Sequence, residues 1–177
     1  MAKHATHRNK ARGFTLIEWL VVMSIAAILA AMGTPDLSAS IERYRARSVA
    51  GELARSLMVA RTQALATGER VVVNPMSNND WARGWRIFID LNNNGSLEAG
   101  ERIVQEIDSN PAALIVPSAR LLEGDQTFVS FTGLGFPRAL DGTRFADGAL
   151  TITLGATQRI VCLNAQGHVD VIDHGAC

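Results

Sequence analysis

Between residues 90 and 101, oxygen-bearing side chains recur at alternate positions, a spacing that could hold a hard metal ion. The segment DLNNNGSLEAGE follows the calcium-loop pattern D-x-N-x-N-G-x5-E, with Asp90, Asn92, Asn94 and Glu101 as candidate ligands. Two positions that are usually carboxylates are asparagine here, which weakens the attraction for a cation. The flanking residues read as strands, and Asn-Gly is a strong hairpin-turn signal. The sequence therefore predicts a plain hairpin loop, with calcium as the weaker hypothesis and no other cofactor.

The two cysteines, Cys162 and Cys177, both lie near the C-terminal end of the sequence. In an oxidising compartment such a pair forms a disulfide, and the alternative is a metal site that adds His168 and His174. No C-x-x-C spacing supports the metal site. We therefore predict a disulfide, provided that this part of the chain is exported.

An acid–base pair is the remaining chemical possibility, since His168 and Asp170 could share one face of a strand. Two histidines and two acids near a chain terminus are more typical of polar surface than of an active site. The sequence contains neither a nucleophile elbow nor a phosphate-binding glycine loop. It therefore predicts no catalysis.

Glu18 is the only charged residue in the apolar stretch from Phe14 to Met32. As a helix, this stretch is roughly 28 Å long, close to the ~30 Å hydrocarbon core of a bilayer. A central carboxylate costs about 2.5–3.5 kcal/mol in that environment, so such a residue usually has a partner. The alternative is a charge near the helix end that reaches the lipid headgroups.

The formal net charge of zero combines two unlike parts of the chain. Residues 1–13 carry four basic residues and no acid, whereas the remainder has 13 arginines, 17 acidic residues and no lysine. A basic stretch before an apolar helix keeps that end in the cytoplasm, so the remainder is predicted to be exported. A cleaved secretory signal is the competing interpretation, but its apolar region is usually shorter and ends in an A-x-A-like site.

Residues 13–18 (GFTLIE), between this basic leader and the apolar run, resemble the processing site of type IV prepilins and type II secretion pseudopilins. The resemblance implies that prepilin peptidase cleaves between Gly13 and Phe14 and N-methylates Phe14, which makes residues 1–13 a leader peptide. It also implies that the helix of residues 14–33 is retained as an inner-membrane anchor and later forms the filament core. There Glu18 would pair with the N-terminal ammonium of a neighbouring pilin or pseudopilin.

The elements that carry these residues follow from the hydrophobic periodicity. Pro35 predicts a break, and residues 34–68 predict an amphipathic helix. Its apolar stripe comprises Leu37, Ile41, Tyr44, Val49, Leu53, Leu57, Ala60 and Ala64. The period then changes to two, which predicts a β-rich domain over residues 69–177. About seven short antiparallel strands are expected, at 70–73, 85–89, 102–107, 128–131, 150–154, 159–163 and 168–172. The fold class is α+β, a long helix with a hydrophobic first half packed on an antiparallel sheet or sandwich.

Residues 84–90 (GWRIFID), an Asn-rich turn and a Cys-bearing final hairpin resemble the GspH/FimT-like branch of minor pilins and pseudopilins, of the FimU/FimT type. The resemblance implies a minor pilin that takes part in initiating and assembling a type IV pilus. Its domain would lie in the periplasm before assembly, and then at or near the pilus tip. The alternative is a minor pseudopilin of a type II secretion system.

Some FimT-like pilins are DNA receptors in natural transformation and use an arginine-rich motif near the C-terminus. The corresponding hairpin here reads Gly167-His168-Val169-Asp170, and an aspartate that faces phosphate repels it. Arg138 and Arg144 could still form a small basic patch. A DNA-binding pilin is therefore the second alternative, and nucleic acid is not an expected partner.

Overall fold

The structure, a computed structural model, describes residues 14–33, 35–77, 80–108, 114–117, 128–142 and 147–177. Within these ranges, the side chains of residues 31–33, 35–37, 114, 116 and 117 are not described. The chain divides into two compact units, with the boundary between Ser38 and Ala39. Each unit is described by itself below.

Helix α1 runs from Leu16 to Gly33 in the first unit. Its described side chains, up to Ala30, are all exposed in the isolated chain. Such an apolar surface is suited to being covered by lipid or by other proteins. Among the residues that the structure describes, no helix combines the length and the apolar character that a membrane crossing requires.

Helix α2 runs from Pro35 to Thr67, and proline is well suited to the first position of a helix because its missing N–H would have no partner there. The predicted apolar stripe is buried from Val49 to Ala64. The prediction was wrong for Ile41 and Tyr44, which are exposed. At 100° per residue, the angular positions of these two residues around the helix axis lie roughly a third of a turn or more from the centre of the buried stripe. Leu37 lies outside the described side chains.

Within the described part of the second unit, eight strands form two antiparallel sheets. They are β1 (Arg70–Pro75), β2 (Trp85–Asp90), β3 (Ile103–Ile107), β4 (Leu114–Pro117), β5 (Val129–Phe131), β6 (Gly148–Leu154), β7 (Thr157–Leu163) and β8 (Val169–Ile172). The first sheet has the order β3-β2-β1-β5 and the second the order β4-β6-β7-β8. All seven predicted strands are present, which confirms the α+β class. The additional strand, β4, is an edge strand that ends in proline.

One hydrophobic core joins α2 to both sheets, because alternate residues of β1, β2, β6 and β7 point toward the buried stripe of the helix. A single turn of 3-10 helix, Trp81–Arg83, adds a tryptophan to this core. The indole of Trp85 donates a hydrogen bond of 2.9 Å to Ser56 Oγ of α2. That bond satisfies a buried polar group between the helix and the first sheet.

Arg61 connects α2 to a loop of each sheet. Its Nε donates to the carbonyl of Gly135, in the loop after β5, at 3.0 Å. Its Nη1 donates to the carbonyl of Gly167, in the β7–β8 turn, at 2.9 Å. A Cβ added to Gly167 would lie 2.8 Å from the Gly135 carbonyl oxygen, so the two loops are in close contact. One planar guanidinium therefore holds three elements together.

Candidate assembly and processing site

The start of α1 is organised by a reciprocal contact between Thr15 and Glu18. The Glu18 carboxylate accepts hydrogen bonds from the Thr15 N–H at 2.9 Å and from the Thr15 hydroxyl at 3.0 Å, both at Oε2. The Glu18 N–H donates to Thr15 Oγ1 at 3.4 Å. This is a capping box, in which two side chains satisfy N–H groups that the first turn of a helix leaves without partners.

The role of Thr15 was not predicted, although the spacing Thr15-x-x-Glu18 is the sequence signature of a capping box. The resemblance that singled out Glu18 directed attention to a partner in another subunit rather than in the same chain. Phe14 and Thr15 precede the first helical residue. Gly13, on the other side of the predicted cleavage junction, lies outside the described residues.

The Glu18 carboxylate borders an apolar depression on the surface of α1. Phe14, Glu18, Trp19 and Val22 line this depression, which has a volume of about 260 Å³. Residues three and four apart lie on one face of a helix, so these side chains form a continuous surface. An exposed apolar surface with a single acid at its edge is suited to packing against another apolar helix that brings a positive charge.

The candidate calcium loop, residues 90–101, connects β2 to β3, which pair antiparallel, so it is the connection of a β-hairpin. Asp90 is fully buried and accepts hydrogen bonds from the backbone N–H groups of Asn94 at 3.1 Å and Gly95 at 2.9 Å. Glu101 accepts from the N–H groups of Leu91 and Glu98, each at 3.0 Å. The two end carboxylates of the motif thus bind the loop's own backbone.

The asparagines of this loop also have partners within it. The side-chain amides of Asn92 and Asn94 donate to the two carboxylate oxygens of Glu98, at 3.0 and 2.8 Å. Among the described residues, no three His, Cys, Asp or Glu side chains are grouped as they would be to hold a metal ion. Calcium binding by Asp90, Asn92, Asn94 and Glu101 stays the weaker hypothesis.

Arg70 lies beside this loop on the outer face of the first sheet. Its Nε donates to Asn93 Oδ1 at 2.9 Å, and its Nη1 donates to Ser130 Oγ at 2.8 Å. Burial lowers the pKa of the Arg70 guanidinium, and the negative charge of Asp90 acts in the opposite direction. The arginine therefore links β1, the loop and β5 around a buried carboxylate.

Cys162 and Cys177 form a disulfide, as predicted, with their Cα atoms 5.5 Å apart. It attaches the last residues of the sequence to β7. The nearby histidines are exposed, and Asp173 forms an ion pair with Arg159 of β7. Because the cysteines are bonded to each other, the alternative metal site that needed their thiolates is wrong.

The predicted basic patch is only partly described. The Arg138 guanidinium lies over the ring of Phe136, 5.8 Å from its centroid, and donates to the carbonyl of Pro137 at 3.2 Å. Arg144 lies outside the described residues. His168 and Asp170 of the C-terminal hairpin are both exposed, where the DNA-receptor motif would require arginines.

A capped apolar helix next to a Gly–Phe junction, together with a helix that shares its core with two antiparallel sheets, defines a pilin-type subunit. The family model described as "Type II transport protein GspH" matches residues 49–167, and the "Prokaryotic N-terminal methylation motif" matches residues 8–34. The chain belongs to the GspH family and is a minor pilin or pseudopilin with an N-terminal methylation motif.

Individual relatives agree with this assignment. The "Type II secretion system protein H" of Xanthomonas campestris pv. campestris is 33% identical over 79 residues, which are 44% of this chain and 47% of that protein. The alignment thus spans about half the length of the curated relative.

Solved structures share the fold. The type IV minor pilin FimU of Pseudomonas aeruginosa has a TM-score of 0.58 and 19% identity, over 74% of this chain and 90% of FimU. The minor pseudopilin EpsH of the Vibrio cholerae type 2 secretion system has a TM-score of 0.51 and 11% identity, over 73% of this chain and 97% of EpsH.

Proposed function

We propose that the protein is a minor pilin that takes part in initiating and assembling a type IV pilus. The observation that carries the proposal is the combination, in one chain, of a prepilin-type N-terminus and a GspH-family domain. Its work is non-covalent: it binds other pilins through the apolar helix and presents the two-sheet unit on the outside. Before assembly, residues 14–33 anchor it in the inner membrane with residues 69–177 in the periplasm, and afterwards it lies in the pilus, at or near the tip.

A second candidate function is that of a minor pseudopilin in a type II secretion system. The curated relative with 33% identity is named as a protein of the type II secretion system, whereas the likeness to FimU concerns the fold alone. The two candidates use the same processing and the same helix packing. Deleting the gene distinguishes them, because loss of surface pili with normal protein secretion supports the first and the opposite result supports the second.

In both cases prepilin peptidase cleaves between Gly13 and Phe14 and methylates Phe14. The support for this step is the methylation-motif match, which includes the Gly–Phe junction and Glu18. We expect Gly13→Ala to accumulate as the full-length precursor when it is co-expressed with a prepilin peptidase. Intact mass and N-terminal sequencing would detect this outcome.

Gly51→Ala is the matched control for that experiment. A methyl group at position 51 has room, since the nearest side-chain atom, Arg55 Nη1, lies 3.7 Å from the added Cβ. This variant should be processed like the wild type. Normal processing and assembly of Gly13→Ala would contradict the proposed function.

A further inference from the structure

The side of α2 that points away from the core carries four exposed apolar residues. Tyr44 is 75% exposed and Met58 is 56% exposed, and Val59 and Leu65 are exposed as well. A helix that covers a core on one side normally presents charged and polar residues on the other. We call this surface the outer face of α2, and it comprises Tyr44, Arg47, Gly51, Arg55, Met58, Val59, Thr62, Gln63 and Leu65.

A groove with a volume of about 370 Å³ runs along this face, lined by Arg55, Met58, Val59, Thr62 and Gln63. Its walls are two rows of side chains spaced four residues apart, one from Arg55 through Val59 to Gln63 and the other from Met58 to Thr62. Grooves between such rows are the surfaces into which the side-chain ridges of another helix pack. The shape of the groove therefore fits a helix.

The apolar surface continues beyond the helix onto the loop after β5. Leu65 contacts this loop, because a Cβ added to Gly135 would lie 2.9 Å from Leu65 Cγ. In the same loop Leu134 is 75% exposed and Phe136 is exposed too. An exposed patch that extends over two elements and is bordered by polar residues is typical of a protein interaction site.

The charge of the outer face indicates which kind of helix can bind in the groove. It carries Arg47 and Arg55, and no described residue forms a hydrogen bond or ion pair with either guanidinium. A second copy of this chain would bring the same arginines against them, which costs energy. A helix with acidic residues beside its apolar ridge would instead satisfy both groups.

We propose that the outer face of α2 is the docking surface for a helix of a different pilin-type subunit, one that presents an apolar ridge flanked by Asp or Glu. This inference rests on the proposed function, since it names the class of partner that the filament subunit binds and the surface that binds it. The apolar side chains supply the buried area, and Arg47 and Arg55 set the choice of partner.

Photo-crosslinking of the full-length protein tests the docking surface directly. Met58 is replaced by p-benzoylphenylalanine in cells that also express the other pilin-type subunits of the same organism, each with a different epitope tag. Leu91 is the matched control position, because it is also apolar and 56% exposed but lies in the β2–β3 loop. We expect an adduct between position 58 and one tagged subunit, at about ten times the yield from position 91.

Charge reversal tests the choice of partner. In the protein with the crosslinker at position 58, Arg55→Glu should lower the adduct yield by about tenfold, the effect of roughly 1.4 kcal/mol in binding free energy. An Asp→Arg or Glu→Arg change in the crosslinked helix of the partner should restore it. Arg102→Glu, an exposed arginine beside β3, should leave the yield unchanged.

Three outcomes would overturn the inference: equal adducts from positions 58 and 91, adducts only with a second copy of this chain, or no adduct from position 58. The failure of this inference can be distinguished from the failure of the proposed function. An adduct between position 91 and another pilin-type subunit, together with normal processing at Gly13, would support the filament role while excluding the outer face of α2 as its docking surface.

Discussion

The buried carboxylate of Asp90 organises the turn between β2 and β3. Each of its two oxygens accepts a backbone N–H of the loop, and Arg70 lies close enough for its charge to act on it. A buried acceptor with two donors fixes the loop conformation. Loss of the bond from Gly95 would leave a buried N–H without a partner, whereas the Asn94 N–H also donates to Asn92 Oδ1 at 3.1 Å. Asp90 therefore has a structural role whether or not the loop binds calcium.

We expect Asp90→Asn to lower the free energy of unfolding by about 1–3 kcal/mol. The amide keeps the shape of the side chain but retains only one acceptor, so one of the two N–H groups loses its bond to residue 90. The cost is largest where this is the buried Gly95, because the Asn94 N–H still has Asn92 Oδ1 as an acceptor. Urea unfolding followed by tryptophan fluorescence would measure the change. Asp108→Asn, which removes a charge from an exposed residue, is the control and should have little effect.

Glu18 has one oxygen that the capping box does not use. Both bonds from Thr15 reach Oε2, so Oε1 can accept a donor from another molecule. The pairing with a neighbouring ammonium, which the family resemblance implies, is thus compatible with the contact seen within the chain. Intramolecular capping would hold the carboxylate in place before a neighbouring subunit arrives.

Among the elements, strand β8 depends most on a covalent bond. It is an edge strand of four residues, and the disulfide between Cys162 and Cys177 attaches the residues that follow it to β7. The cysteines are 15 residues apart in sequence, so the bond closes a loop that includes the whole β7–β8 turn. Cross-linking such a loop stabilises the folded state mainly by restricting the unfolded chain.

Replacing both cysteines by alanine should lower the free energy of unfolding by about 3 kcal/mol, the chain-entropy value for a loop of this length. Hydrogen exchange should quicken most in β8 and the residues after it. The comparison is the wild type with and without reductant, since reductant should destabilise the wild type and leave the double variant unchanged. Equal stability of oxidised and reduced wild type would contradict the expectation.

The elements also show which patterns in a sequence carry structural information. Seven strands followed from alternation between turn signals, because side chains of a half-buried strand alternate between two environments. Strand β4 was missed because its residues, Leu114–Pro117, contain a proline, which argues against a strand except at the edge of a sheet. Its position at an edge follows from tertiary pairing and cannot be read from local pattern.

Helix α2 shows the limit of periodicity more clearly. The buried stripe from Val49 to Ala64 was predictable, since three- and four-residue spacing defines one face. Ile41 and Tyr44 were assigned to the same stripe because apolar residues were expected to face the core. A helix that interacts on two sides carries apolar residues on both, and one sequence alone does not say which side is covered within the chain.

The long-range contacts that join α2 to the two sheets were not predictable either. Nothing in the sequence separates Arg61 from the other arginines of α2. Among the contacts of the described residues, however, only Arg61 of these arginines donates to a loop of each sheet, at residues 74 and 106 positions away. The capping box, in contrast, lies within four residues and could have been found from Thr15 and Glu18. Local hydrogen bonds leave a spacing signature, whereas those that close a tertiary fold do not.

For the globular unit as a whole, Arg61 is one of the points at which α2 contacts both sheets, in addition to the shared core. We expect Arg61→Lys to lower the free energy of unfolding by about 1–3 kcal/mol, because an ammonium cannot reproduce the planar geometry that reaches both carbonyls. Urea unfolding would measure it. Arg45→Lys is the control, as Arg45 is exposed and has no bonded partner among the described residues. Equal losses in the two variants would exclude a specific role for Arg61.

The contact at Arg61 has a mechanical consequence. In the proposed filament, tension would load the subunit along α2, and the two hydrogen bonds from Arg61 would pass part of that load to a loop of each sheet at the same place. Both loops are then loaded together, because they also lie in close contact with each other. We therefore expect the unit to unfold in a single step when α2 is pulled, rather than one sheet at a time.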